Sequence, residues 1–246
     1  MEEKLKESEE KYREAFERTE IYKDLFAHDI SNILQNIKSS IGLMSIWQDK
    51  PDQEKINEVI QIMNNQIIRG AKLISNIRRL SQITEKSELM ENIKPLDKLN
   101  EAIRFLKKSY PEKQIVIKVE SQINDMYIKA NALLLDVYEN IMINAVKYNE
   151  NPIIEILIRI SKLKENDIDY IKFEFVDNGI GISDSIKEGI FNGTTKREDR
   201  SKGMGLGLIL VRRIVHSFNG KIWVEDNVKG DPSKGSNFII QLLEVK

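Results

Sequence analysis

A stripe of isoleucines at helical spacing is the feature that most constrains the fold of this chain. In a first segment, apolar residues recur every three or four positions, at Ile30, Ile33, Ile37, Ile41 and Met44. The pattern stops at Lys50-Pro51-Asp52 and resumes in a second segment, at Ile56, Ile60, Met63, Ile67, Ala71, Ile74 and Ile77. Such spacing places apolar side chains on one face of an α-helix, and the proline favours a turn. The sequence therefore predicts two long antiparallel helices.

A helical hairpin of this kind leaves part of its apolar face uncovered. Two hairpins from two chains close a four-helix bundle around a shared core, so we expect a homodimer. The preceding segment, residues 2–24, is mostly charged and carries a weaker heptad at Leu5, Ser8, Tyr12, Ala15, Thr19, Tyr22 and Phe26. We expect a coiled-coil signalling linker over 1–23, with a solvated single helix as the alternative.

A second domain is predicted after about Ser87, where short β-branched runs alternate with helical segments. The pattern predicts strands over 114–119, 126–130, 153–163, 168–176, 221–225 and 236–243, and helices over 133–148 and 205–218. Helices combined with a largely antiparallel sheet indicate an α+β fold of the two-layer sandwich type. The expected domains are the linker at 1–23, a helical dimerisation domain at 24–88 and the α/β sandwich at 89–246.

Composition excludes several classes of function. The chain has 246 residues, and 38 Lys and Arg nearly balance 39 Asp and Glu, so no global positive field favours a nucleic acid. Cysteine is absent and His28 and His216 are the only histidines, which excludes disulfides, thiolate metal sites and histidine-rich metal clusters. We expect a cytoplasmic protein, and the lack of an apolar run of about 18 residues predicts no membrane insertion.

His28 is the first candidate for chemistry. At roughly 100° per residue it projects from the side of the helix opposite the isoleucine stripe, and Asn32 lies one turn later on the same face. Asp29 can bond one imidazole nitrogen and leave the other with a free lone pair, as a nucleophilic histidine requires. An ordinary surface histidine is the alternative.

Two amides and a glycine-bracketed carboxylate form the next candidates. Asn140 and Asn144 are one turn apart on a predicted helix. Apolar residues mark the buried side of that helix, so we expect both amides on the opposite side. Carboxamide oxygens suit Mg²⁺ held mainly by phosphates and water, and Lys147 adds a positive charge. Asp177 follows a strand and precedes Gly179 and Gly181, which let a ligand approach the backbone. Its carboxylate can accept a hydrogen bond from the exocyclic amine of adenine.

A third glycine cluster opens the helix predicted at 205–218. Gly203, Gly205 and Gly207 alternate with Met204, Leu206 and Leu208, and backbone N–H groups at such a helix start bind polyphosphate. The polar segment before it, residues 184–202, has the composition of a mobile lid and carries Phe191, Thr195 and Lys196.

Taken in order, these motifs resemble the boxes of the sensor histidine kinases over about residues 22–246. Lys234-Gly235-Ser236 is similar to the closing Gly-Thr motif of that family, with Ser in place of Thr. The resemblance implies a histidine-phosphotransfer hairpin followed by a Bergerat-type domain that binds ATP and Mg²⁺. It implies His28 as phosphoacceptor, Asp29 as acid/base residue, Asn144 and Asn140 as Mg²⁺ ligands and Asp177 as the adenine reader. The nucleotide site would comprise Asn140, Asn144, Lys147, Tyr148, Asp177, Gly179, Gly181, Ile182, Phe191, Thr195, Lys196, Gly203, Met204, Gly205, Leu206, Gly207, Leu208 and Ser236.

By the same resemblance, the partners would be a response regulator receiver domain and an upstream sensor module. The sequence departs from the family at two positions. Ile33 replaces the usual Pro, so we expect a straighter helix. Asp29 replaces the usual Glu. Asn32 stands where many members position water for phosphatase activity, and an ordinary surface role is the alternative. A Bergerat ATPase of chaperone or gyrase type is the competing function, but it needs a Glu where this chain has Asn140. A module that binds without catalysis is the third hypothesis.

Overall fold

The computed structural model describes residues 30–46, 52–86, 90–121, 123, 125–191 and 206–245. The chain divides into two compact units, residues 1–77 and 78–246. The predicted linker at 1–23 lies outside the described residues, and so do His28, Asp29, Thr195, Lys196, Gly203, Met204 and Gly205. Within the described ranges, no helix is both long and apolar enough to cross a bilayer.

The first unit contains the two predicted helices, α1 over 30–46 and α2 over Gln53–Lys86, which continues into the second unit. Lys50 and Pro51 of the predicted turn lie outside the described residues. The apolar residues of these two helices divide into a buried and an exposed set. Ile33, Val59 and Leu73 are buried, and Gly70 lies against Ile33. A second set of apolar residues is exposed, namely Leu34, Ile41, Ile60, Ile67 and Ile74.

The second unit is built on a seven-stranded sheet, as the α+β prediction requires. Its order is β1-β3-β7-β5-β4-β2, with β6 paired to β7. The strands are β1 (Glu91–Ile93), β2 (Gln114–Ser121), β3 (Tyr127–Ala130), β4 (Ile153–Glu165), β5 (Ile168–Asp177), β6 (Lys221–Val228) and β7 (Asp231–Val245). The β2–β4 pair is parallel and the other pairs are antiparallel. The helices are α3 (Pro95–Ser109), α4 (Leu134–Lys147), α5 (Asp184–Lys187) and α6 (Leu206–Ser217).

One face of the sheet carries the core, because alternate side chains of its strands point to the same side. On β4 and β5 the alternating buried apolar side chains are Ile154, Ile156, Ile158, Ile160, Ile171, Phe173 and Phe175. Helices α4 and α6 contact each other and contribute apolar residues that are almost fully buried. The arrangement holds the end of β5, the end of α4 and the start of α6 within one rigid unit.

Candidate nucleotide-binding site

Asp177 is the last residue of β5 and its side chain is 6% exposed. Its Oδ1 accepts hydrogen bonds from the backbone N–H of Gly179 at 2.8 Å and of Ser236 at 3.2 Å. Burial raises the pKa of this carboxyl from its ordinary 3.8 to about 6, although both hydrogen bonds favour the charged form. The fold therefore holds a carboxylate out of water at a fixed place, as a specific polar contact to a ligand requires.

The glycines after Asp177 are there because neighbouring backbone leaves no room for a side chain. A Cβ on Gly179 would lie 2.6 Å from the Tyr148 carbonyl oxygen and 2.9 Å from Asp177 Oδ1. Gly181 has φ +72°, and a Cβ there would overlap the carbonyl oxygen of Pro232. Gly179 and Gly181 are thus required by close packing of this loop, and half-buried Ile182 follows them.

Helix α4 carries the two amides, but the structure corrects their predicted placement. Asn140 is buried, because α6 packs on this side of α4. Its Nδ2 donates to the Asp136 carbonyl oxygen at 2.7 Å, which leaves Oδ1 directed to the first turn of α6. A Cβ on Gly207 would lie 2.8 Å from this oxygen, so a glycine is needed for the approach. Asn144, one turn later, is half-buried.

The end of α4 supplies a cation beside this loop. Lys147 is exposed, and its Nζ lies 5.1 Å from the ring centroid of Tyr148, a cation–π distance. The Tyr148 carbonyl oxygen accepts a hydrogen bond from the Ile180 N–H at 3.0 Å. The predicted Lys147 and Tyr148 are therefore next to the loop that follows Asp177.

Phe191 and Ser236 are placed in the interior. Phe191 is 6% exposed and meets Phe238 edge to face, with ring centroids 6.2 Å apart. Ser236 is also buried and contacts Asp177 through its backbone N–H. Their described contacts assign both to the support of the site. Leu208 is half-buried in the first turn of α6 and Leu206 is the first residue of that helix.

The residue types fit a magnesium ion held chiefly by phosphate and water. The described residues contain no cluster of three or more His, Cys, Asp or Glu side chains. Asn144 makes no side-chain hydrogen bond to the part of the chain that is described, and the bond from Asn140 to Asp136 uses Nδ2 rather than Oδ1. One or two carboxamide oxygens suit a cation that retains water and binds phosphate oxygens.

Four asparagines near Asp177 were missed by sequence reasoning. Asn149, Asn151 and Asn178 bond one another between the end of α4 and the end of β5. Asn227 donates to the carbonyl oxygens of Asp177 and Lys234, at 3.1 and 3.0 Å. Asparagine clusters beside glycine and proline are typical turn signals, so the sequence alone does not distinguish this support from ordinary loops.

Comparisons with known proteins agree with this geometry. Residues 130–246 match the family model described as histidine kinase-, DNA gyrase B- and HSP90-like ATPase. The match covers just under half of the chain, all of it in the second unit. The sensor-like histidine kinase ycf26 of Porphyra purpurea is 26% identical over 89% of the chain and 35% of its own length. The adaptive-response sensory kinase SasA of Synechocystis is 25% identical over 87% of the chain and 56% of its own length.

These relatives confirm the predicted resemblance to sensor histidine kinases. The chain spans only about a third to a half of their length. Among solved structures, one similar to this chain is the histidine kinase ThkA in complex with the response regulator protein TrrA. The alignment covers 97% of this chain and 66% of that chain. It has a TM-score of 0.70 at 20% identity, a likeness that concerns the fold. The ATPase domain implies ATP binding, and its family includes both functions considered from the sequence.

Proposed function

We propose that this chain is an ATP-dependent protein histidine kinase that phosphorylates His28 and passes the phosphoryl group to an Asp of a response regulator. The observation that supports this most is the buried Asp177 carboxylate, fixed by two backbone N–H groups at 2.8 and 3.2 Å. A buried acceptor beside a close-packed glycine loop suits recognition of the adenine amine. The histidine-kinase relatives favour phosphotransfer over the other activities of the domain family.

The remaining roles are carried over from the family resemblance and are part of the proposal. Asn144, supported by Asn140, would hold Mg²⁺, and Lys147 and the backbone N–H groups at the start of α6 would hold phosphate oxygens. Bound Mg²⁺ would neutralise charge on the phosphates. Asp29 would accept the proton from one imidazole nitrogen of His28, while the lone pair of the other nitrogen attacks the γ-phosphorus of ATP and ADP leaves. Thr195, Lys196, Gly203, Met204 and Gly205 stay predicted members of the nucleotide site.

The ATPase hypothesis is less well supported, because the site lacks the base that it needs. An amide cannot accept a proton from water, and Asn140 stands at the position of the required Glu. Its Nδ2 is already bonded to the Asp136 carbonyl oxygen. Glu139 precedes it by one residue and so projects about 100° away on the helix. Transfer to a histidine of the same protein needs no water-activating base.

The exposed face of the first unit supports a homodimer. Ile60, Ile67 and Ile74 repeat every seven residues along α2 and are 41%, 58% and 63% exposed. Leu34 and Ile41 repeat in the same way along α1 and are 60% and 52% exposed. Heptad-spaced apolar residues form the seam of a helical bundle. We propose that they pair with the same residues of a second copy to complete a four-helix bundle.

Other parts of the proposal rest on the family resemblance. The domain limits of 24–88 and 89–246, an upstream sensor module and a cytoplasmic location stay predictions. Asn32 lies on the exposed side of α1, where phosphatase activity would need it, and an ordinary surface role stays open.

Steady-state ATP turnover separates the two enzyme hypotheses. A kinase of this kind releases phosphate slowly, through loss of the phosphoryl group from His28, so His28→Ala should remove nearly all turnover. An ATPase with its own base would continue to hydrolyse ATP, because its chemistry never involves the helical hairpin. Substantial phosphate release by His28→Ala would therefore overturn the proposal.

A further inference from the structure

The proposed nucleotide site has two halves on different elements. Asp177, at the end of β5, would bind adenine, whereas Asn140 and Asn144, on α4, would face the metal and phosphates. A ligand that occupies both halves binds tightly only if the protein fixes the distance between them. If one half is mobile, part of the binding free energy is spent on ordering it. The contacts that join the end of α4 to the end of β5 therefore decide how well ATP is held.

Asn149 makes a side-chain contact between these elements. It follows the C-cap residue of α4, is 7% exposed, and donates from Nδ2 to Asn178 Oδ1 at 2.7 Å. Asn178 is the residue directly after Asp177. The backbone bond from Ile180 N–H to the Tyr148 carbonyl oxygen runs beside it at 3.0 Å.

The surrounding hydrogen bonds fix both amides in one orientation. Asn149 Oδ1 accepts from the backbone N–H and from Nδ2 of Asn151, both at 3.0 Å. Asn178 Oδ1 also accepts from the Glu155 N–H, and its Nδ2 donates to the Ile153 carbonyl oxygen, again at 3.0 Å. Asn178 is thus attached to β4 independently of Asn149. Loss of the Asn149 donor would leave Asn178 in place and would weaken the link to the end of α4, which the Ile180–Tyr148 backbone bond and the bond from Asn151 to the Asn178 carbonyl oxygen would still hold in part.

We propose that Asn149 is a positioning residue that sets the spacing between the adenine half and the metal-phosphate half of the site. The inference rests on the proposed function, because it assumes that one nucleotide bridges both halves. Asn149 itself contacts no reacting atom. Replacement of Asn149 should therefore lower the affinity for ligands that span both halves and leave the affinity for ligands that occupy one half nearly unchanged.

The isosteric change Asn149→Asp tests this directly. It replaces the Nδ2 donor by an oxygen facing Asn178 Oδ1, and Asn178 cannot rotate without losing its bonds to Glu155 and Ile153. The control is Asn92→Asp, which makes the same charge change at an exposed position of β1. Dissociation constants for AMP and MgATP would be measured by calorimetry. We expect the ratio of the dissociation constant of AMP to that of MgATP to fall about tenfold. The dissociation constant of AMP should itself change less than twofold.

A second variant and a structural readout keep the inference testable if Asn149→Asp folds poorly. Asn149→Ala removes the donor without adding charge and should lower the same ratio. Hydrogen exchange of the Ile180 amide, which bonds Tyr148, should become faster in both variants and stay unchanged in the control. An unchanged ratio, or equal losses for AMP and MgATP, would overturn the positioning role. Failure of the wild-type chain to bind MgATP would instead overturn the proposed function.

Discussion

Replacement of Asp177 by Asn should stabilise the second unit at neutral pH while it impairs nucleotide binding. Burial raises the pKa of this carboxyl from 3.8 to about 6, so the folded state binds its proton more tightly than the unfolded state. The buried charge therefore costs nothing well below pH 3.8, and its cost grows between about pH 3.8 and 6 and is nearly constant above pH 6. At roughly 1.4 kcal/mol per pKa unit, the full cost is about 3 kcal/mol. The amide of Asp177→Asn would carry no charge and would keep an oxygen for Gly179 and Ser236.

The assay is urea unfolding of wild type and Asp177→Asn between pH 4 and 8. The chain has two tryptophans, Trp47 and Trp223, so Trp47→Phe leaves Trp223 on β6 as the reporter of the second unit. The unfolding free energy of Asp177→Asn should exceed that of wild type by an amount that grows with pH, towards about 3 kcal/mol at pH 8. Asp125→Asn, at a carboxylate that is 71% exposed, is the control. A difference that does not change with pH would refute this reasoning.

The same variant tests the role of the carboxylate in binding. The new amide can offer an oxygen to the adenine amine but lacks the charge, and a charge-assisted hydrogen bond contributes roughly 1.5 to 3 kcal/mol. ATP affinity should therefore fall by at least about tenfold at pH 8. Wild-type affinity should also fall below pH 6, where the acceptor becomes protonated, whereas Asp177→Asn should lack this pH dependence. Unchanged ATP affinity in a variant with raised stability would separate Asp177 from the nucleotide site.

Three further predictions concern the core, the glycine loop and the dimer. Tyr138→Phe should leave the unfolding free energy unchanged or raise it by up to about 1 kcal/mol in urea titrations, because the buried hydroxyl has no hydrogen-bond partner among the described residues; a loss above that size would reveal one. Gly181→Ala should abolish ATP binding or folding, seen by calorimetry and circular dichroism, since a Cβ would overlap the Pro232 carbonyl oxygen; wild-type behaviour would contradict the loop geometry. Ile67→Glu should yield monomers in analytical ultracentrifugation, and a persistent dimer would place the interface elsewhere.

Local patterning predicted α1, α2, α4, α6 and most strands, because apolar spacing reports which face is buried. Strand β1 and helix α5 were missed because they have only three and four residues. Helix α3 was missed although its buried Leu99, Ala102 and Leu106 lie at helical spacing. Strand β7 begins at Asp231, five residues before the predicted start, since pairing with β6 extends through polar residues. Tertiary pairing, which a single segment does not encode, decided the limits of these strands.

The candidate site residues could be named from the sequence, whereas the contacts that support them could not. Asp177 and its glycines were named because they stand in the order of motifs that resembles the sensor histidine kinases, since glycines after a carboxylate are by themselves common in turns. The burial of Asn140 was missed, because it depends on α6, which packs its Gly207 against that amide from 67 residues away. Asn149 was missed because its partner, Asn178, is 29 residues distant in sequence. Contacts of this kind become visible only after the sheet and helices are assembled.

Phosphorylation of His28 is the most direct test of the central claim. The purified chain would be incubated with γ-labelled ATP and Mg²⁺, and the label on the protein tested for stability in acid and alkali. The account predicts a label that is acid-labile and alkali-stable in the wild type and absent from His28→Ala. The variant should still bind MgATP within about twofold of wild type, because His28 is not among the proposed nucleotide ligands. Labelling that persists in His28→Ala would contradict the account.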